Sequence, residues 1–230
     1  MIYGELGRYP LEIDIKLRIL NYWSKLMCGK QEKLPVILYK YAYKKYGMNI
    51  PWLNNIKSIL DSCGLSYVWN AQYFVSNTWL YHKVKVSVVD QFKQNWHSIL
   101  LESPKAINYR LFKDNAEREN YFKILDDKNI ITFCRFRILS HKLPIETGRW
   151  KNVPRENRNC KLCNSGDIGD EFHYIFKCSK FNHDREKFLK PYYLNRPNVL
   201  KFHDLMNTRN ISMLNHLCKF IKLINKQLDS

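Results

Sequence analysis

Cys160-Lys-Leu-Cys163, then Asn164-Ser-Gly-Asp-Ile-Gly-Asp-Glu-Phe172, then His173-Tyr-Ile-Phe-Lys-Cys178 is the stretch that decides how the rest of the chain reads. Two cysteines two residues apart can hold one metal ion from a tight turn, and the His and Cys that follow close a tetrahedron around it. Four nitrogen and sulfur ligands leave no open coordination position, so the spacing predicts one structural zinc rather than a catalytic one. A redox pair would instead sit where a strand runs into a helix, whereas this pair follows a basic loop. Positions five apart on an ideal helix point about 140° away from each other. His173 and Cys178 therefore meet at one ion only if the helix ends before Cys178; otherwise His183 takes the last place.

Moving outward, the cations are dense. Arg135, Arg137, Lys142, Arg149, Lys151, Arg155, Arg158 and Lys161 face only Glu146 and Glu156, and Trp150 stands beside Arg149. Arginine forks match phosphate oxygens, and an indole ring stacks on an unpaired base. Those eight cations and Trp150 are the candidate nucleic-acid-binding residues, with Tyr174 a further stacking candidate. Glu146 reads as a partner for Arg149 or another nearby cation that fixes the loop. Glu171 reads either as a group that orients His173 or as an exposed carboxylate at a helix start.

Away from this segment the text is helical. Ile15, Ile19, Tyr22, Trp23 and Leu26 share a broad face of a helix over 11–27, and helices follow over 33–46 and 52–62. Residues 65–89 are ambiguous: aromatics dominate, and Lys83-Val-Lys-Val86 alternates like a short strand. Helical spacing returns over 88–101. Asn115 is placed to cap a helix over 116–125, and another follows over 130–139. Residues 142–169, punctuated by Pro144, Gly148 and Pro154, read as loop. Short helices are expected over 171–177, 184–194, 199–206 and 211–228. The fold class is mainly α: a bundle-like N-terminal part, a small zinc-knuckle-like module and C-terminal helices.

The composition agrees with a folded chain: of 230 residues, 45% are hydrophobic and 14% aromatic. Lys and Arg number 38 against 21 Asp and Glu, a formal charge of +17 that suits a polyanionic partner. The cysteines are odd in number, seven, and the first ten residues hold no apolar leader. Both features point to a reducing, nuclear or cytoplasmic setting. No membrane partner and no small-molecule substrate are expected. Cys28, Cys63, Cys134 and Cys218 read as buried apolar side chains, and the remaining histidines as surface or satisfied groups.

Phe133-Cys-Arg-Phe-Arg137, Ser140-His-Lys-Leu-Pro-Ile-Glu-Thr-Gly-Arg-Trp150, Pro154-Arg155, Arg158-Asn-Cys-Lys-Leu-Cys163 and Asp170-Glu-Phe-His-Tyr-Ile-Phe-Lys-Cys178 together resemble the C-terminal zinc-binding region of non-LTR (LINE-type) retrotransposon reverse transcriptases. Phe181 and Arg185 continue the pattern, and Tyr3-Gly-Glu-Leu-Gly-Arg-Tyr-Pro-Leu11 is similar to the segment after the polymerase palm. The resemblance implies thumb or connector helices over 1–130, a basic zinc module over 131–185 and C-terminal helices over 186–230. It also implies zinc on Cys160, Cys163, His173 and Cys178. Its polymerase chemistry does not carry over: that needs an aromatic-x-Asp-Asp turn, and Asp126-Asp127 follows Ile124-Leu125 instead. The expectation is a non-catalytic module, the tail of such a polyprotein, that binds RNA or single-stranded DNA. Two alternatives stay open: an accessory part working with a separate polymerase half, and a protein-interaction adaptor docking through the aromatics of residues 67–81.

Overall fold

The computed structural model describes residues 1–229. The chain is mainly α, and the only strand-like pairing among the described residues is one antiparallel bridge, Asn159 to Ile168. No helix is long and apolar enough to cross a membrane. Contacts divide the chain into two compact units: Tyr9–Asn95, and Met1–Arg8 together with the chain from Trp96 on. Residues 131–185 and 186–229 both fall in the second of these.

Helices Leu11–Met27, Leu34–Lys45, Pro51–Ser62 and Ser66–Ala71 and the first part of Asn77–Glu102 build the unit Tyr9–Asn95. Leu17, Leu20, Trp23, Leu53, Ile56, Leu60, Val68 and Leu80 lie in its core. Trp23 is fully buried, beside the rings of Trp69 and Phe74. Its Nε1–H donates to Tyr39 Oη at 2.9 Å, so the core indole carries no orphan donor.

Residues 83–86, whose alternation left the ambiguous stretch open to a short strand, are helix, part of Asn77–Glu102. Leu80, Val84 and Val88 are buried at a spacing of four, while Lys83, Lys85 and Val86 are exposed. The longer period outweighs a four-residue alternation. The aromatic stretch divides: Trp69 and Phe74 are core, whereas Tyr67, Tyr73 and Tyr81 are exposed.

In the other unit, Ile211–Asp229 is the central helix. Leu214, Leu217, Phe220, Ile221 and Ile224 form its buried stripe, and Asn210 Oδ1 caps it by accepting from Met213 N at 2.8 Å. Helices Asp127–Arg137 and Asn182–Phe188 pack against it. Asp126, the first residue of the Asp-Asp pair, is the cap of Asp127–Arg137, accepting from Asn129 N at 2.8 Å.

The helix expected over 116–125 is reduced to Tyr121–Ile124. Tertiary bonds hold the preceding segment out of helix: Glu119 N donates to Glu5 O at 3.0 Å, and Lys113 Nζ donates to Glu117 O at 2.7 Å. Conversely, the expected loop contains the helix Pro144–Trp150, started by Pro144 at a position where proline lacks nothing.

Arg137 organises this unit. It is fully buried and grips Glu5, also fully buried, through Nε at 2.9 Å and Nη2 at 3.2 Å. Nη1 donates to Met206 O at 2.6 Å, and the guanidinium lies over the Phe112 ring at 4.6 Å. Burial opposes its charge, but the Glu5 carboxylate outweighs that, so Arg137 titrates above its ordinary value. Removing one member of a buried pair strands the other charge. Glu5→Ala should therefore destabilise this unit by about 3–5 kcal/mol, read by urea unfolding followed with far-UV circular dichroism; a loss below about 1 kcal/mol, the worth of an exposed pair, would contradict the arrangement.

Candidate metal centre

The Cys-x2-Cys pair sits in a short antiparallel ribbon. Cys160 N donates to Asp167 O and Gly169 N to Arg158 O, each at 2.9 Å, and Gly166 turns the chain with φ 73°. Gly169 is obligatory: a Cβ there would stand 2.8 Å from Pro144 Cγ and 3.1 Å from Cys160 Cα. The ribbon thus lies against the start of helix Pro144–Trp150, where Ile145 N donates to Gly169 O at 3.2 Å. Gly148 is needed for the same reason, since a Cβ would stand 2.6 Å from Arg158 Cγ.

The other two ligand residues come from the segment 171–178. After Glu171 and Phe172 it widens into a π-turn, His173–Lys177, closed by Cys178 N donating to His173 O at 2.8 Å. Such turns are rare and cluster at functional sites. Cys178 follows the turn with φ −56° and ψ 118°, outside helical geometry. The 140° obstacle disappears because the helix ends before Cys178; His183 is exposed and outside the cluster.

The ligand atoms of Cys160, Cys163, His173 and Cys178 all lie within 4.8 Å of one another. Cys160 Sγ is 3.8 Å from Cys178 Sγ, and Cys163 Sγ is 3.4 Å from His173 Nε2. A tetrahedral ion with bonds of about 2.3 Å to sulfur and 2.0–2.1 Å to nitrogen has S–S edges of about 3.8 Å and S–N edges of about 3.6 Å. These two pairs therefore match opposite edges of one tetrahedron. The four side chains form a group able to hold a metal ion.

The surroundings fix each ligand. His173 N donates to Asp170 Oδ1 at 2.9 Å. His173 Nδ1 is buried with only the Asp167 carboxylate near it, at 3.5 Å, so a proton on Nδ1 leaves Nε2 free to ligate. Leu162 N donates to Cys160 Sγ at 3.4 Å, and Tyr174 Oη lies 3.3 Å from the same sulfur. At Cys163, burial opposes ionisation, but Ser165, Cys160 and His173 outweigh it and bring the thiol down to about 6. Burial pushes Cys178 up to about 12; a metal ion would have to displace that proton.

Arg185 is the anchor whose role the sequence did not disclose. It is buried, and its guanidinium donates to Ile175 O and Cys178 O, each at 2.8 Å, and to Asn182 Oδ1 at 2.9 Å. It holds the backbone on both sides of the π-turn's end. The sequence marked Arg185 only as a continuation of the motif pattern, seven residues after Cys178.

The candidate cations divide by environment. Arg137 is committed to Glu5 and cannot reach a ligand. Arg158 is half-buried and donates to Val153 O at 2.8 Å and Ile145 O at 3.0 Å, bracing the loop. Arg149 pairs with Glu146 at 2.9 Å, one of the partners the sequence left open, and Lys105 approaches the same carboxylate at 3.5 Å. Arg155 reaches toward Asp170 at 3.8 Å, and Lys142 pairs with Asp229 at 2.7 Å. Arg135, Trp150, Lys151 and Lys161 are exposed.

Further expectations need correction. Glu171 is neither exposed nor turned to His173: it is buried between His141 Nε2, 2.5 Å away, and Asn108 Nδ2. Tyr174 is fully buried and unable to stack on a base. All seven cysteines are free; of the four expected to be buried only Cys218 is, while Cys63 and Cys134 are half-buried and Cys28 is exposed.

No protein-family model, curated protein or solved structure matches the chain.

Two substitutions separate this centre from a chance cluster. Gly169→Ala should weaken metal binding by roughly five- to a hundredfold, because the ribbon must shift off Pro144 by a strain worth about 1–3 kcal/mol. His183→Ala should leave it unchanged. Cobalt(II) titration read through the visible absorption of tetrahedral thiolate coordination checks both; the reverse ranking would move the fourth ligand to His183.

Proposed function

We propose that this protein is a non-catalytic nucleic-acid-binding module whose basic surface is held in shape by one zinc ion. The observation that carries this reading is the exposure of Arg135, Lys142, Trp150, Lys151 and Lys161 on the unit that holds a closed Cys3His group. Zinc suits three sulfurs and one imidazole in tetrahedral array, and four protein ligands leave no place for a reacting water. Three thiolates and a divalent ion sum to one negative charge. The buried guanidinium of Arg185, bonded to the Cys178 carbonyl, offsets it.

The chain's net charge of +17 supplies long-range attraction for a polyanion. The cations bind phosphate without reading sequence, and their contribution falls steeply with salt. We further propose that the module derives from the tail of a non-LTR reverse transcriptase. That origin rests on the motif pattern alone. Several of its motif residues have structural roles here: Pro144 starts a helix, Glu146 pairs with Arg149, Gly148 admits Arg158, and Arg137 holds Glu5. Asp126 acts as a helix cap, which suits a part without polymerase chemistry.

A second reading, the protein-interaction adaptor, draws on helix Leu34–Lys45. Leu34, Ile37, Leu38 and Tyr41 are all exposed at helical spacing, an apolar stripe of the kind that partner proteins cover.

The two readings separate in one comparison. Arg135→Gln, Lys151→Gln and Lys161→Gln together should weaken binding to an oligonucleotide. They should also lower the slope of log K against log salt by about 2, since each phosphate contact to a single strand contributes about 0.7. The equally large charge change of Lys83→Gln, Lys85→Gln and Lys93→Gln should have much less effect. Equal losses would mean that net charge alone drives binding, and would favour the adaptor.

A further inference from the structure

Two concavities open on the surface, one of them lined in part by Lys161 next to the ligand Cys160, and they share one side chain. The first, about 350 Å³, is lined by Trp150, Lys142, Lys151 and Lys161, with Leu228 on its far side. The second, about 300 Å³, is lined by Arg135, Ser140 and Lys142, with Asp229 at its edge. Lys142 belongs to both. The two linings meet at Lys142 and together hold Arg135, Lys151, Lys161 and one exposed indole. Trp150 is 59% exposed, an unusual placement for a ring of this size. The metal group holds the ribbon that carries Lys161, and helix Pro144–Trp150 presents the indole.

We infer that this pair of concavities is a track that seats a single-stranded polynucleotide, with one unpaired base stacked on Trp150 and the flanking phosphates on Lys151, Lys161 and Lys142. The inference rests on the nucleic-acid reading above and specifies it. A base in a duplex already stacks on its neighbours and offers no free face to an indole, so this geometry selects unpaired strands. Cations spread over two concavities that share Lys142 suit a polymer better than a mononucleotide. Charge complementarity names the occupant: the lining holds three lysines and an arginine against one carboxylate.

That carboxylate gives the track a latch. Asp229 pairs with Lys142 at 2.7 Å, and both side chains are more than half exposed. Exposed pairs of this kind are weak. A phosphate can take the place of Asp229 on the lysine, and Asp229 then opposes the strand by repulsion.

The test uses the full chain, a fluorescein-labelled oligothymidylate, an oligouridylate and a mixed-sequence duplex of equal length, with anisotropy read at one fixed salt. The wild type should bind both single strands more tightly than the duplex. Trp150→Ala should weaken single-strand binding about tenfold and leave duplex binding unchanged, while Trp150→Phe retains most of the affinity. Asp229→Asn should tighten single-strand binding by roughly two- to fivefold. Should Trp150→Ala disturb its helix end, Lys151→Gln with Lys161→Gln serves instead and should show the same preference for weakening the single strand. Single-strand binding that survives Trp150→Phe, Trp150→Ala and the lysine pair intact overturns the track and leaves the broader reading standing. A wild type that binds none of the three probes overturns the broader reading, and the track with it.

Discussion

Three sulfurs and one imidazole nitrogen must meet within a few ångströms, and much of the local structure between residues 143 and 185 serves that convergence. The ribbon 158–169 brings Cys160 and Cys163. The π-turn brings His173 and releases Cys178 at an angle that an α-helix would not allow. Gly169 lets the ribbon touch the start of helix Pro144–Trp150, and Arg185 ties the carbonyls at the end of the turn. Without an ion, three thiols and a buried histidine would face each other with little to hold them. With one, the same atoms cross-link segments that have almost no regular sheet of their own.

Charge in this chain performs two tasks. Inside, Arg137, Arg158 and Arg185 hold carbonyls and the Glu5 carboxylate. Their planar forks satisfy several acceptors at once, which a lysine could not do. Outside, Arg135, Lys151 and Lys161 are free to meet a ligand, with Lys142 loosely held. Buried arginines shape the surface, and exposed lysines use it.

Much of this was legible in the sequence. Three members of the Cys3His group were readable from spacing, because thiols and imidazoles at tight intervals have few other uses, while the last place stood open between Cys178 and His183 until the π-turn was seen. The long helices over 11–27 and 211–228 were readable from period, but the face read on the first was partly off, since Ile15 and Tyr22 are exposed while Trp23 and Leu26 are buried. Charge density, by contrast, could not separate Arg137 from Arg135. The two lie two residues apart on one helix and point to opposite environments, and Arg137's partner, Glu5, is 132 residues away. Glu171 was misjudged for the same reason, since His141 and Asn108 reach it from distant segments. The π-turn left no mark in the residue pattern beyond the five-residue interval from His173 to Cys178. Residues 83–86 stayed ambiguous because a window of four is too short to distinguish the two periods.

A metal ion on Cys160, Cys163, His173 and Cys178 would hold the ribbon and the π-turn together. The most direct measurement is the metal content of protein purified without added metal, paired with thiol reactivity under native conditions. One zinc per chain, lost in Cys178→Ser, with Cys160, Cys163 and Cys178 protected from alkylation until a chelator is added, is the predicted result. A metal-free protein that is fully folded, with those three cysteines reacting freely, would contradict it.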